Sequence, residues 1–318
     1  MGSPNSSTSS AAAEEPEELA ADHHHGRRAI WAEFVGTALF VWAGTGSAVA
    51  AQRWTAAGVA LDGGSLVGIS LAFGLTISLL VYAIGFISGG HMNPAVTFAF
   101  MILRVRTIAS GLIYIVAQCA GAIVGSLLLW GCTYSLTSGC AEGGEDVTGV
   151  CQSSANASGG FGPPFALGVN QVGPSVTQWS AFLIEATGTY LLVLTVLLTA
   201  VHSESTAGNG APVAIGWAVL VVHLVLIPFT GCGINPARSL GPMVADTIGG
   251  LASAAWGRGW WVFYTAPFVG SLLATLTFTG LFQVDFVHGL HDLKIKMHKM
   301  GQRSKHKKED GPGAEEKV

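Results

Sequence analysis

Charge is what this sequence has least of. Asp, Glu, Lys and Arg make up only 11% of its 318 residues, against roughly 25% in an ordinary soluble domain. A chain so poor in charge cannot clothe a water-facing surface, which excludes an ordinary soluble protein. Cysteine is scarce as well. The five present fit no zinc-ligand spacing and form no Cys-x-x-Cys pair. A cleaved secretory signal does not fit the first apolar run, which is too long and follows a 28-residue polar leader without a clear cleavage site. No paired catalytic constellation appears either. His91 is close in sequence to neither a nucleophile nor a metal-ligand partner. The expectation is therefore a non-enzyme with no cofactor, nucleotide or metal.

What is present is apolar, at 50% of residues, with 43 glycines. Six stretches approach the roughly 20 apolar residues that cross a bilayer: Ala29–Ala51, Ser65–Ser88, Ile108–Trp130, Trp179–Val201, Ala211–Phe229 and Trp260–Phe282. The runs are continuous rather than alternating, so they predict helices, which satisfy their own backbone groups in lipid. Abundant glycine suits close helix packing there. Arg27 and Arg28 precede the first run, Arg104 and Arg106 lie between the second and third, and eight basic residues fall between Lys294 and Lys317. The opposite side carries only Arg53 and Arg258. The positive-inside rule then places both termini in the cytoplasm, in keeping with an even number of spans.

Residues 1–28 read as a disordered cytoplasmic tail and residues 284–318 as a basic cytoplasmic one. Residues 131–178 form a long outer loop with Cys132, Cys140 and Cys151. An oxidising outer face is compatible with a disulfide among them, but the sequence selects no pairing. Asn156-Ala157-Ser158 is a candidate glycosylation sequon on the correct side.

The chain repeats itself. "EFVGT" at Glu33–Thr37 answers "EATGT" at Glu185–Thr189, and Asn93-Pro94-Ala95 answers Asn235-Pro236-Ala237. Each half, about 29–130 and 179–283, holds three helices with the tripeptide after the second. An odd number of helices inverts the second half relative to the first, which puts a site where the halves meet near the midplane. Each tripeptide precedes an apolar run too short to span, Val96–Leu103 and Arg238–Ala245. Asn is a strong N-cap and Pro loses no hydrogen bond at the first helical position. Each tripeptide thus predicts the start of a half-helix, one entering from each face, with their positive N-termini meeting. The Asn93 and Asn235 amides are read as donors to a water oxygen. The carbonyls of Gly89, Gly90 and His91, and of Gly231, Cys232 and Gly233, are read as acceptors along a pore. Glu33 and Glu185, symmetrically placed inside spans, are read as acceptors of pore-loop N–H groups rather than as a proton relay.

"SGGHMNPAVT", "TGCGINPARSLG" and "AEFVGT" resemble signatures of the aquaporin family (major intrinsic proteins), and the resemblance covers nearly all of 29–283. It implies an all-α membrane fold of six spans and two half-helices in an inverted 3+3 repeat. It also implies a selectivity filter at Phe73, His223, Cys232 and Arg238, a set that resembles strict water channels. At that position Cys232 is expected as an exposed thiol open to mercurials. A homotetramer in the plasma membrane is implied, with water as permeant and no nucleic-acid partner. Resemblance to gated plant channels makes Thr107, three residues after Arg104, a candidate phosphosite. Met243 and Tyr264 depart from the family pattern, which usually shows a small residue and Trp.

The residues themselves agree with a water filter. Phe73 and His223 are bulky, His223 and Arg238 can hydrogen-bond water, and a fixed cation at Arg238 repels hydronium. The expected function is passive, proton-excluding water flow. The alternative is a facilitator of glycerol or another small neutral solute, such as hydrogen peroxide or ammonia. An ion-coupled transporter would want carboxylates at the midplane, where the motifs offer Asn and backbone.

Overall fold

The computed structural model describes residues 15–54, 62–137, 167–249 and 256–282. These residues form eight α-helices: α1 (Glu15–Trp54), α2 (Gly63–Ser88), α3 (Pro94–Ile102), α4 (Ile108–Thr137), α5 (Gln178–Val196), α6 (Ala211–Thr230), α7 (Pro236–Gly249) and α8 (Val262–Thr277). A π-helical turn, Leu197–Val201, extends α5, and another, Phe278–Phe282, follows α8. Six of the helical stretches are long and apolar enough to cross a membrane: Gly26–Ala51, Gly63–Ser88, Ile108–Thr133, Gln178–Val201, Gly208–Thr230 and Val262–Phe282. Their outward faces stay apolar. Leu79 is 67% exposed and Val116 68% exposed, side chains that water would penalise and lipid accepts.

Helix α1 begins at Glu15, inside the stretch expected to be a disordered tail. "EPEELAA" explains the difference. Ala, Glu and Leu are strong helix formers, and Pro16 falls in the first turn, where its missing N–H removes no bond. The Asn156 sequon, Cys140, Cys151 and the basic C-terminal tail lie outside the described residues. Cys132 is an exposed free thiol. The chain divides into two units, Met1–Thr275 and Leu276–Val318, and everything below concerns the first.

Small residues set the helix crossings. A Cβ at Gly121 or Gly125 on α4 would collide with the carbonyls of Phe34 and Ala38 on α1. A Cβ at Gly270 on α8 would meet the Ala186 carbonyl on α5 in the same way. These are the same crossing in the two halves. Between the halves, α2 meets α6 backbone to backbone: a Cβ at Gly74 would lie 2.7 Å from the Gly216 carbonyl oxygen, and one at Gly216 would lie 2.6 Å from that of Gly74. Without hydrophobic drive between helices in lipid, such close packing supplies the attraction.

The half-helices α3 and α7 are too short to span. Asn93 caps α3 by accepting from the Ala95 N–H at 2.9 Å. Asn235 caps α7 by accepting from Ala237 at 3.0 Å and Arg238 at 3.2 Å. Helix α7 runs to Gly249, past the expected end near Ala245, and carries Pro242 inside it.

Candidate functional site

Each half builds its pore loop on a buried carboxylate. In the first half Glu33 Oε1 accepts from Ser88 Oγ at 2.6 Å and from the His91 N–H at 2.9 Å, and Oε2 accepts from the Met92 N–H at 2.7 Å. In the second half Glu185 Oε1 accepts from Thr230 Oγ1 at 2.6 Å and from the Gly233 N–H at 2.8 Å, and Oε2 accepts from the Ile234 N–H at 2.7 Å. The hydroxyls then accept in turn: Gly90 N–H on Ser88 Oγ at 3.1 Å and Cys232 N–H on Thr230 Oγ1 at 3.2 Å. Each carboxylate thus takes the loop N–H groups that no helix can pair, leaving the loop carbonyls free to face elsewhere. The loops are strained in matching places. Met92 has φ 46° and Ile234 φ 45°, a region costly for a β-branched residue. Gly90 has φ 64° and its counterpart Cys232 φ 58°. The carboxylate bonds hold these conformations in place.

The two half-helix starts are bonded across the halves. Asn93 Nδ2 donates to the Ile234 carbonyl at 3.0 Å, and Asn235 Nδ2 donates to the Met92 carbonyl at 2.8 Å. Ser271 Oγ on α8 donates to the Ala95 carbonyl at 2.7 Å. Each Asn amide has two N–H groups, so one remains after the cross-bond. Both asparagines line a cavity of about 630 Å³. The cavity reaches from His202, Ser205 and Asn209, past the pore loops, to His223 and Arg238. Gly89, Gly90, His91 and Gly233 line it, as does Ile234, which the sequence reading omitted. Gly231 is not among its lining residues. Its N–H caps α6 on the Ile227 carbonyl at 3.0 Å, with φ 74° in the left-handed region glycine favours.

At the far end of this cavity His223 and Arg238, which line it, meet Phe73, which is fully buried and does not line it. The Phe73 and His223 rings stack with centroids 4.3 Å apart. The Arg238 guanidinium lies over the Phe73 ring, 5.0 Å from its centroid. Arg238 Nη1 donates to the Gly168 carbonyl at 2.8 Å. His223 Nδ1 lies 2.8 Å from the Val219 carbonyl. A carbonyl only accepts, so Nδ1 carries the proton of the neutral ring and Nε2 is an acceptor. His223 Nε2 and Arg238 Nε are buried and have no hydrogen-bond partner among the described residues. The ring therefore offers one buried acceptor and one buried donor. Cys232 is fully buried rather than exposed, and its backbone hangs on Thr230 and not on the cavity wall.

Other expected residues fall outside the ring. Thr107 is exposed and its Oγ1 accepts from the Ser110 N–H at 3.3 Å, capping α4. Tyr264 donates its hydroxyl to Met243 Sδ at 3.1 Å, and neither lines the cavity. Two supports were missed. Gln118 on α4 donates to Glu33 Oε2 at 2.8 Å and to Thr97 Oγ1 at 2.9 Å. A lone Gln in an apolar span was the available signal. Gly168 and Asn170 dock on the start of α7, where Gly168 takes the Arg238 bond and Ser239 Oγ donates to Asn170 Oδ1 at 2.8 Å. Gln171 N–H donates to the Thr230 carbonyl at 3.2 Å, so this segment docks on the end of α6.

Six spans, two opposed half-helices and two symmetric carboxylate-held loops define a channel architecture. The family model described as Major intrinsic protein matches residues 20–278, and the chain belongs to that family. It is similar to Aquaporin-1 of Sus scrofa, 37% identical over 255 residues, covering 79% of this chain and 80% of the relative. It is similar to Aquaporin-1 of Homo sapiens at 37% identity over 251 residues, with the same coverage. Aquaporin PIP2-5 of Oryza sativa is 36% identical over 259 residues, covering 78% of this chain and 81% of the relative. The crystal structure of the aquaglyceroporin from Plasmodium falciparum superposes with a TM-score of 0.64 at 21% identity, covering 84% of this chain and 99% of that one, a likeness of fold. The protein is an aquaporin-family channel, an integral membrane protein with six spans, and members of this family are channels rather than enzymes.

Proposed function

We propose that this channel conducts water passively and excludes protons, with Asn93 and Asn235 at its centre and Phe73, His223 and Arg238 as its filter, Cys232 standing buried outside the cavity lining. The observation that carries the reading is the pair of unpartnered buried atoms, His223 Nε2 and Arg238 Nε, beside the stacked Phe73 ring. A buried acceptor and donor without partners cost free energy, of the order of 1–3 kcal/mol each, and a passing water meets both. A glycerol-sized solute needs a wider ring than one closed by two stacked aromatic faces.

Proton exclusion follows from the same groups. A water at the centre accepts from the remaining Asn93 and Asn235 N–H groups, with two helix N-termini behind them. Its own hydrogens then point away from the asparagines, and a continuous donor chain is broken there. The Arg238 charge repels hydronium at the filter. Glu33 and Glu185 belong to the scaffold, holding the loops whose carbonyls at Gly89, Gly90, His91 and Gly233 face the path.

By likeness to Aquaporin-1 and Aquaporin PIP2-5, the reading extends to a homotetramer in the plasma membrane with both termini in the cytoplasm. Residues 29–283 form the channel domain between two tails. Stopped-flow osmotic shrinkage of proteoliposomes, run in parallel with glycerol uptake, tests the assignment. Fast water and slow glycerol are expected. Fast glycerol with slow water would replace this reading with a small-solute facilitator.

A further inference from the structure

We infer that Gly44, on α1 and outside the filter, determines the filter's aperture by seating the Phe73 ring. The inference rests on the filter reading above. Gly44 is buried, and a Cβ there would fall 2.5 Å from Cδ1 and 2.6 Å from Cζ of Phe73, with Cε1 nearer still. All three nearest atoms belong to one edge of one ring. Carbon atoms rest about 3.5–4.0 Å apart, so any side chain at this position moves that edge by about an ångström.

The surroundings decide where the ring goes. Helix α2 cannot retreat as a body, because its next residue, Gly74, is already in backbone contact with Gly216 of α6. On α1 itself Phe40 meets the ring edge-to-face, centroids 5.6 Å apart. The remaining neighbours are His223, stacked at 4.3 Å, and the Arg238 guanidinium, 5.0 Å away. Phe73 is fully buried and does not line the cavity itself, whereas His223 and Arg238 do. Displacement therefore runs into the other members of the filter. A missing methyl group on α1 is what keeps the ring back from the path.

The coupling is specific enough to test with the full chain in proteoliposomes. Gly44→Ala should lower osmotic water permeability about tenfold or more, as expected if roughly 1.4 kcal/mol of overpacking falls on the conducting ring. Phe73→Ala alone should admit glycerol. Gly44→Ala combined with Phe73→Ala should match Phe73→Ala alone in water flux, glycerol flux and thermal stability, because the clashing ring is gone. Wild-type water flux in Gly44→Ala overturns the inference. So does a double variant that stays slow, or that fails to fold where Phe73→Ala folds, because the clash would then lie elsewhere. If Phe73→Ala leaves solute selectivity unchanged, the filter reading fails and this inference with it. If Phe73→Ala admits glycerol and only the coupling to Gly44 is missing, the filter stands and the inference alone falls.

Discussion

Asn235 donates its side-chain amide to the Met92 carbonyl at 2.8 Å, a bond that joins one half of the chain to the other. Asn93 returns the same bond to Ile234. The acceptors are the two non-glycine residues held at φ 46° and 45°. Their strained backbone aims a carbonyl at the opposite asparagine, and the carboxylates of Glu33 and Glu185 fix that strain from behind through the Met92 and Ile234 N–H groups. Each half thus completes the loop of the other, and the centre of the pore is a joint before it is a passage.

Asn235→Asp separates cap from joint. The carboxylate keeps an oxygen for the Ala237 and Arg238 N–H groups but has no donor for Met92. A buried carbonyl left unpaired costs about 1–3 kcal/mol, so the thermal midpoint should fall. The added negative charge also offsets the positive helix ends that repel cations. Proton flux, followed with a pH dye inside proteoliposomes, should rise above wild type. Unchanged stability and unchanged proton exclusion together would remove Asn235 from both roles.

Glu185→Gln tests the loop scaffold. The carboxylate accepts three bonds, from Thr230, Gly233 and Ile234. A glutamine amide presents one oxygen and one NH₂, so one loop donor faces another donor. The expected loss is about 1–3 kcal/mol from that contact, seen as a lower melting temperature in detergent. Water flux per inserted channel should fall as the Ile234 carbonyl loses its aim. Glu33→Gln should behave alike, since Glu33 carries the matching bonds and one more from Gln118. A stable, fully conducting Glu185→Gln channel would mean that the loop holds itself.

Much of this was legible in the sequence, for a physical reason. Membrane spans are written in composition, and the run read as Ile108–Trp130 differs from the helical stretch Ile108–Thr133 only at its end. Asn-Pro encodes a helix start through the side chain and ring themselves, so α3 and α7 begin where the tripeptides do. What was not legible depends on backbone groups, which every residue shares. The Gly168 carbonyl that holds Arg238, and the Met92 and Ile234 carbonyls that take the asparagine amides, have no letter of their own. The burial of Cys232 was missed for a related reason. Its place in the motif was visible, but its φ of 58° and the direction its side chain then takes were not.

His223→Gly should change what passes more than whether the protein folds. Among the described residues the side chain bonds only its own helix, at Val219, and stacks on Phe73. Removing it opens the ring on one side and deletes the acceptor Nε2. Glycerol uptake should become measurable, by roughly tenfold over wild type if a barrier of about 1.4 kcal/mol is lost. Pairing it with Arg238→Ala should widen the filter further and admit larger neutral solutes. The Gly168 carbonyl would then lose its partner, and stability should drop in that double variant. Solute selectivity identical to wild type in both variants would count against the ring assignment.

Three described cysteines differ in access, and thiol labelling should rank them. Cys132 is exposed, Cys119 is partly buried and Cys232 is closed to solvent. A membrane-impermeant maleimide should modify Cys132 first, with no effect on water flux, because that residue lies near the end of α4 and does not line the cavity. Mercury should block flux slowly, since the Cys232 thiol must become exposed before it reacts. Cys232→Ser should conduct water normally and abolish the slow block. If the block instead follows the fast labelling of Cys132 and survives in Cys232→Ser, the sensitive thiol lies away from the filter. Cys232 would then be a buried residue with no access to the path.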